Sequence, residues 1–148
     1  VGDLVEQVCA GLRAEEPTVP LRFRRESGPA LVVLPAVAFT QAVLNLIDNA
    51  LEESSPEAPV EVDVSVTQDR VVVEVRDHGP GWPALVRAHL GEPFVTTRPS
   101  GVGLGLYFAY TLAETVGGRL ELDATPGGGA IARLVLPVAR DLRLQGAA

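Results

Sequence analysis

The sequence predicts a two-layer α+β sandwich built on a mixed, mostly antiparallel sheet, and three observations carry that expectation. Val60, Val62, Val64 and Val66 alternate with Glu61, Asp63 and Ser65, and Val71 to Val75 follows a Gln68-Asp69 turn. This is the pattern of a β-hairpin with one buried face. Phe39, Ala42, Val43, Leu46, Ile47 and Ala50 recur at steps of three and four, which gives one broad apolar face to a helix of about 18 residues beginning after Pro35. Five or so strands and three principal helices are grouped along the chain, unlike the strict alternation of a parallel βαβ sheet.

The remaining elements follow from local signals. Leu4, Val5, Val8 and Leu12 lie at helical spacing within residues 3–14, with Asp3 placed to cap the helix. Glu16-Pro17 and Pro20 end it, and residues 21–24 and 30–34 read as strands separated by Ser27-Gly28-Pro29. Residues 79–101 hold four prolines and four glycines with no sustained period, the composition of a binding loop or lid, with room for a short helix over 84–90. Helical spacing returns over 103–116, with Phe108, Ala109, Leu112 and Val116 on one face and Gly117-Gly118 as the stop. Strands over 119–122 and 131–136 flank a Pro126-Gly-Gly-Gly turn, Pro137 closes the domain, and a loose tail follows Arg140.

Composition narrows the function classes. A chain of 148 residues, 47% hydrophobic, suits one domain with a substantial core. The net charge of −7 with scattered basic residues argues against nucleic-acid binding, which needs clustered Lys and Arg. No apolar run reaches membrane-spanning length and no signal peptide is evident, so this piece is expected to be cytoplasmic, without direct membrane contact. The chain starts with Val and contains no Met, as expected of a segment excised from a longer protein, and a membrane anchor elsewhere in that parent stays open. Cys9 is the single cysteine, expected as a small core residue in a reducing compartment.

Four short tracts carry the chemistry: Asn45-Leu-Ile-Asp-Asn49-Ala50, Asp77-His-Gly79-Pro-Gly81, Glu92-Pro-Phe94-Val-Thr96-Thr97 and Gly101-Val-Gly103-Leu104-Gly105-Leu106. Asn45 and Asn49 are one helical turn apart, so their carboxamide oxygens can converge on one ligand. Asp77 ends a hydrophobic strand, where its carboxylate would face a pocket, and the following glycines admit close backbone approach. The fourth tract opens directly into a helix, whose N–H groups and positive dipole end suit phosphate. It lacks the Gly-Lys-Ser/Thr ending of a P-loop and the spacing of a dinucleotide fingerprint.

In this order the tracts resemble the N, G1, F and G2 boxes of the catalytic ATP-binding domain of two-component sensor histidine kinases, within the superfamily of gyrase, Hsp90 and MutL ATPase domains. The resemblance covers residues 21–137 as the core of one domain over 1–148, with a lid over 79–100. It implies the Bergerat fold, with helices over one sheet face, and ATP with Mg²⁺ as cofactors. Asn49 would hold the metal, Asn45 would support the phosphates or metal-bound water, and these two are the catalytic candidates. Asp77 would accept the exocyclic amine of adenine, where guanine presents a carbonyl. Gly79 and Gly81 would let the backbone approach the ring. Phe94 would anchor the lid in an apolar pocket, and Thr96, Thr97 and Arg98 would reach phosphate. Gly101, Gly103, Leu104, Gly105 and Leu106 would cradle the triphosphate.

The implied reaction is transfer of the γ-phosphoryl group to a histidine on a separate dimerisation and histidine-phosphotransfer domain of the same parent, with a response regulator as indirect partner. His78 and His89, the two histidines here, do not lie in the acceptor tract, so the chain is not expected to complete autophosphorylation alone. His78 reads as a surface or turn residue. Three positions depart from the family pattern, the first being His78, which stands where Asn is frequent. Glu52 stands where many members carry Lys or Arg, which moves the expected phosphate charge to Arg98 first and Arg87 second. Ala130 stands where Thr is frequent, removing one polar contact. The alternatives are an ATPase of the same superfamily, a protein-serine kinase and an inert nucleotide-binding module. Hydrolytic relatives carry Glu one turn before the metal-binding Asn, whereas Asn45 makes a poor general base.

Overall fold

The hydrophobic pattern resolves into helices laid over one face of a five-stranded sheet. The computed structural model describes residues 2–14, 21–25, 32, 34–54, 57–67, 69–94 and 104–138. In chain order the elements are α1 (Gly2–Ala14), β1 (Leu21–Arg25), α2 (Ala36–Glu53), β2 (Val60–Val66), β3 (Arg70–Arg76), α3 (Ala84–Ala88), α4 (Gly105–Thr115), β4 (Arg119–Ala124) and β5 (Ala130–Pro137). The sheet order is β1-β2-β3-β5-β4. β1 pairs parallel with β2, and every other neighbouring pair is antiparallel. The parallel pair is the one joined through a helix, α2, the crossover that parallel neighbours require. The expected two-layer α+β arrangement is observed.

Inward side chains alternate as the pleat demands. Val60, Val62, Val64, Val71, Val73, Val75, Leu120, Ala132, Leu134 and Leu136 meet Phe39, Ala42, Val43, Leu46, Ile47 and Ala50 of α2, Val5 and Cys9 of α1, and Ala109 and Ala113 of α4 in one core. Cys9 is fully buried, as expected.

Three local expectations are corrected. The strand over 30–34 falls partly outside the described residues, and Val32 and Leu34 within it are not in a strand. Asp3 lies in the first turn of α1 instead of capping it, where its charge still complements the helix dipole. On α4, Ala109 and Ala113 are the buried residues and Leu112 and Val116 pack against the core, while Phe108 is 38% exposed. The cause is proximity to α2. A Cβ placed on Gly105 would stand 3.6 Å from Asn45 Cβ, so the inward stripe at four-residue steps, Gly105, Ala109 and Ala113, is small and the larger rings turn aside.

The opposite face of the sheet carries a continuous charge ladder. Arg24 Nε donates to Asp63 Oδ1 at 3.1 Å, and an Arg76 amino group donates to Asp63 at 2.9 Å and to Glu61 at 3.1 Å. Arg133 Nε donates to Glu74 at 2.8 Å and its Nη1 to Asp123 at 3.1 Å. Asp63 and Glu74 face each other across β2 and β3, a like-charge pair that would repel. Arg76 lies between them, with its Nε 3.3 Å from Glu74. The ladder holds Asp123 below the ordinary carboxylate range, first through the Ala124 N–H and then through Arg133. Arg24 and Arg133 are raised, each chiefly by its carboxylate partner, Asp63 and Glu74 respectively.

Candidate functional site

Asp77 is the buried polar residue of the described chain, at 3% exposure. It follows β3 immediately, and two backbone amides hold its side chain. Gly79 N–H donates to Oδ1 at 2.9 Å, and Ala130 N–H donates to the same oxygen at 3.1 Å. Burying a carboxylate is costly unless it is hydrogen-bonded, and these donors meet that need at one oxygen. Neither of these bonds uses Oδ2.

Close packing positions this carboxylate. A Cβ on Gly79 would lie 2.3 Å from the Glu53 carbonyl oxygen, so only glycine lets the loop after β3 meet the C-terminal end of α2. Gly129 has φ +96°, and its Cβ would lie 2.4 Å from the Asp77 carbonyl oxygen. The turn before β5 therefore presses against the Asp77 backbone. Gly81 has φ +88°, and a Cβ there would stand 3.5 Å from the Gly129 carbonyl oxygen. Trp82 Nε1 donates to the Ile131 carbonyl at 2.9 Å. Trp82 lies beyond the four sequence tracts. The available sign of its role was its place as the single Trp directly after Gly79-Pro-Gly81.

Asn45 and Asn49 lie half-buried on one edge of α2. Gln41 Nε2 donates to Asn45 Oδ1 at 2.8 Å, which turns the carboxamide along the helix. Beside Asn45 stands Gly105, the first residue of α4. Leu104 is exposed at the head of that helix and Leu106 is half-buried. The structure thus brings Asn45 together with the end of the fourth tract, and Gly79 together with the end of α2. Glu52 is exposed on the last turn of α2.

Phe94 is not seated in an apolar pocket. It is 72% exposed with φ +66°, a backbone region that favours glycine. Its outward ring follows from the left-handed turn at the end of the segment after α3. In that segment Gly91 has φ +96°, and a Cβ there would lie 2.9 Å from the Tyr110 ring. His89 Nδ1 contacts the Glu92 carboxylate. Arg87 lines a groove with Glu121, Asp123 and Arg133 beside the edge strand β4, so the second candidate for phosphate charge stands among carboxylates. His78 is a surface residue 3.5 Å from Glu61. Thr96, Thr97, Arg98, Gly101 and Gly103 lie outside the described residues. Among the described residues no group of three or more His, Cys, Asp or Glu is arranged to hold a metal, and no helix is long and apolar enough to cross a membrane.

The residues present fit an adenine nucleotide: a buried carboxylate with both backbone donors on one oxygen, glycines that let the neighbouring backbone pack closely beside it, and a carboxamide edge beside a helix start. Comparison with known proteins agrees. Residues 35–140 match the family described as histidine kinase-, DNA gyrase B-, and HSP90-like ATPase. The chain is 37% identical over 141 residues to the sensor protein FixL of Bradyrhizobium diazoefficiens, covering 92% of this chain and 28% of that protein. Among solved structures, the mycobacterial sensor histidine kinase MprB superposes with a TM-score of 0.79 at 26% identity, covering 94% of this chain and 95% of that one. Full-length ShkA in complex with AMPPNP superposes with a TM-score of 0.79 at 28% identity over 95% of this chain and 30% of that one. The chain spans between 13% and 28% of the length of curated relatives it matches. It belongs to the histidine kinase-, DNA gyrase B- and HSP90-like ATPase family, as a catalytic ATP-binding domain of the sensor histidine kinase type.

Proposed function

We propose that this chain is a single domain that binds ATP with Mg²⁺ and presents the γ-phosphoryl group to a histidine on a separate dimerisation domain of its parent, with a response regulator downstream. The observation that carries this reading is Asp77, buried at the end of β3 with Oδ1 satisfied by two backbone amides and Oδ2 left to accept from adenine. Bound ATP·Mg²⁺ would supply the phosphoryl group and the charge neutralisation that phosphoryl transfer needs. The chain's own residues bind and orient. Asn49 offers a neutral oxygen of the kind Mg²⁺ accepts alongside waters and phosphate oxygens. Gly101 to Leu106 and Thr96 to Arg98 would surround the phosphates, Leu104, Gly105 and Leu106 from the start of α4. Phe94, outward here, would turn inward only on closure over the nucleotide.

Asn45 favours the kinase over the hydrolase. Its carboxamide accepts from Gln41 and has no basicity with which to take a proton from water. Calorimetry with ADP and Mg²⁺ tests the site. Micromolar-range binding that weakens on Asp77→Asn substitution supports it, and absence of binding by the unaltered chain contradicts it.

A further inference from the structure

We propose that Trp82 is a positioning residue for the adenine-reading carboxylate, and so a determinant of base selectivity. The inference rests on the reading of Asp77 given above. Gly129 and Ala130, at the entry to β5, both meet Asp77, and Ile131 is the next residue. Gly129 presses on the Asp77 carbonyl oxygen, and Ala130 N–H donates to Asp77 Oδ1. Trp82 reaches that third residue, with Nε1 2.9 Å from the Ile131 carbonyl. Its ring packs against the core, and Gly81 just before it has room for no more than van der Waals contact between a Cβ and the Gly129 carbonyl oxygen.

The indole therefore closes a loop of contacts that runs from Asp77 through Gly79 and Gly81 to Trp82, then through Ile131 and Ala130 back to the carboxylate. Without its N–H, the Ile131 carbonyl loses that donor and the start of β5 can drift. The Ala130 amide then no longer aims Oδ1, and Oδ2 turns from the line on which an exocyclic amine is met. A guanine nucleotide makes no use of that line, so the loss falls on adenine.

Calorimetry on the unaltered chain, Trp82→Phe and Asp77→Asn, each with ADP and with GDP, tests this. Trp82→Phe keeps the ring and removes the donor. The expected result is ADP affinity weakened by about three- to tenfold, with GDP affinity unchanged. An equal fall for both nucleotides, or no fall, overturns the positioning role and leaves Trp82 as packing. If Asp77→Asn leaves ADP affinity intact, the adenine reading itself fails, and the role of Trp82 with it. Should the Phe variant not fold, the unaltered chain answers directly, because its one Trp gives one indole N–H resonance. That resonance is expected to exchange slowly and to shift more with ADP than with GDP. An indole N–H that exchanges freely and ignores ADP overturns the proposal.

Discussion

Asp77 and Ala130 are bonded to each other twice: Asp77 N–H donates to the Ala130 carbonyl at 3.0 Å, and Ala130 N–H donates to Asp77 Oδ1 at 3.1 Å. The first bond prolongs the β3–β5 ladder by one step beyond Arg76 and Ile131. The second diverts the next amide to a side chain. The carboxylate thereby takes its direct hydrogen bonds from backbone donors, whose placement depends on what holds the start of β5. Where many relatives by resemblance carry Thr, Ala130 makes this contact through its main chain and needs no side-chain oxygen.

Asp77→Asn is expected to fold, because the amide oxygen can take the place of Oδ1 before the same two N–H donors. The other position becomes an NH₂ facing the adenine amine. ADP affinity should fall about tenfold to a hundredfold while the unfolding midpoint shifts little. Calorimetry and thermal unfolding on one preparation check both halves. Unchanged affinity would sink the assignment.

Asn49→Ala should weaken nucleotide binding mainly when Mg²⁺ is present. Titrations in Mg²⁺ and in EDTA separate the two cases. An equal loss in both would reject Asn49 as a metal ligand.

Gly129→Ala should destabilise the domain by about 2–4 kcal/mol, combining a left-handed backbone with overlap on the Asp77 carbonyl. Gly127→Ala is the control. A Cβ there meets nothing within 4 Å, so its effect should stay within about 0.5 kcal/mol. Urea unfolding of the pair decides, and equal effects would mean that the turn is not pressed on Asp77.

The outer charge ladder gives the stability a sign in acid. Asp123 has a folded pKa depressed below its ordinary 3.8, chiefly by the Ala124 N–H and then by Arg133. Its contribution is present above that value and is lost as pH falls through the lower folded value. Asp123→Asn should therefore lower the urea midpoint at pH 7, and the gap from the unaltered chain should close at the acid end. Arg24 and Arg133 are raised above the ordinary guanidinium range by Asp63 and Glu74 respectively, so both stay charged throughout this window and the titrating partners are the carboxylates. A gap that widens as pH falls would contradict the ladder.

Elements with a strong local period were legible in the sequence. The broad apolar stripe of α2 and the valine alternation of β2 and β3 are each set by residues a few positions apart, and the structure has both where expected. Contacts set across the fold were not. Phe108 and Ala109 look equally suited to a core, and only the closeness of α4 to α2 selects the alanine. Trp82 and Ile131 are 49 residues apart, so no local spacing announces their bond. Ile131 and Val135 are buried although they share the parity of Arg133 on the charged face, which alternation alone assigns to solvent. In the site, Gly79 marked a place where backbone crowds backbone, yet Gly129, outside the four tracts, is crowded against Asp77 in the same way from far along the chain.

Phosphoryl transfer in trans tests the central claim most directly. The purified chain is incubated with γ-labelled ATP and Mg²⁺, alone and with a separately made dimerisation domain from the same parent. Alone, the chain should hydrolyse ATP very slowly and take up no stable label. With the partner, label should appear on that domain's histidine, and Asn49→Ala should abolish it. Rapid hydrolysis by the chain alone that disappears on Asn45→Ala substitution, with no label on the partner, would contradict the account and make the protein an ATPase.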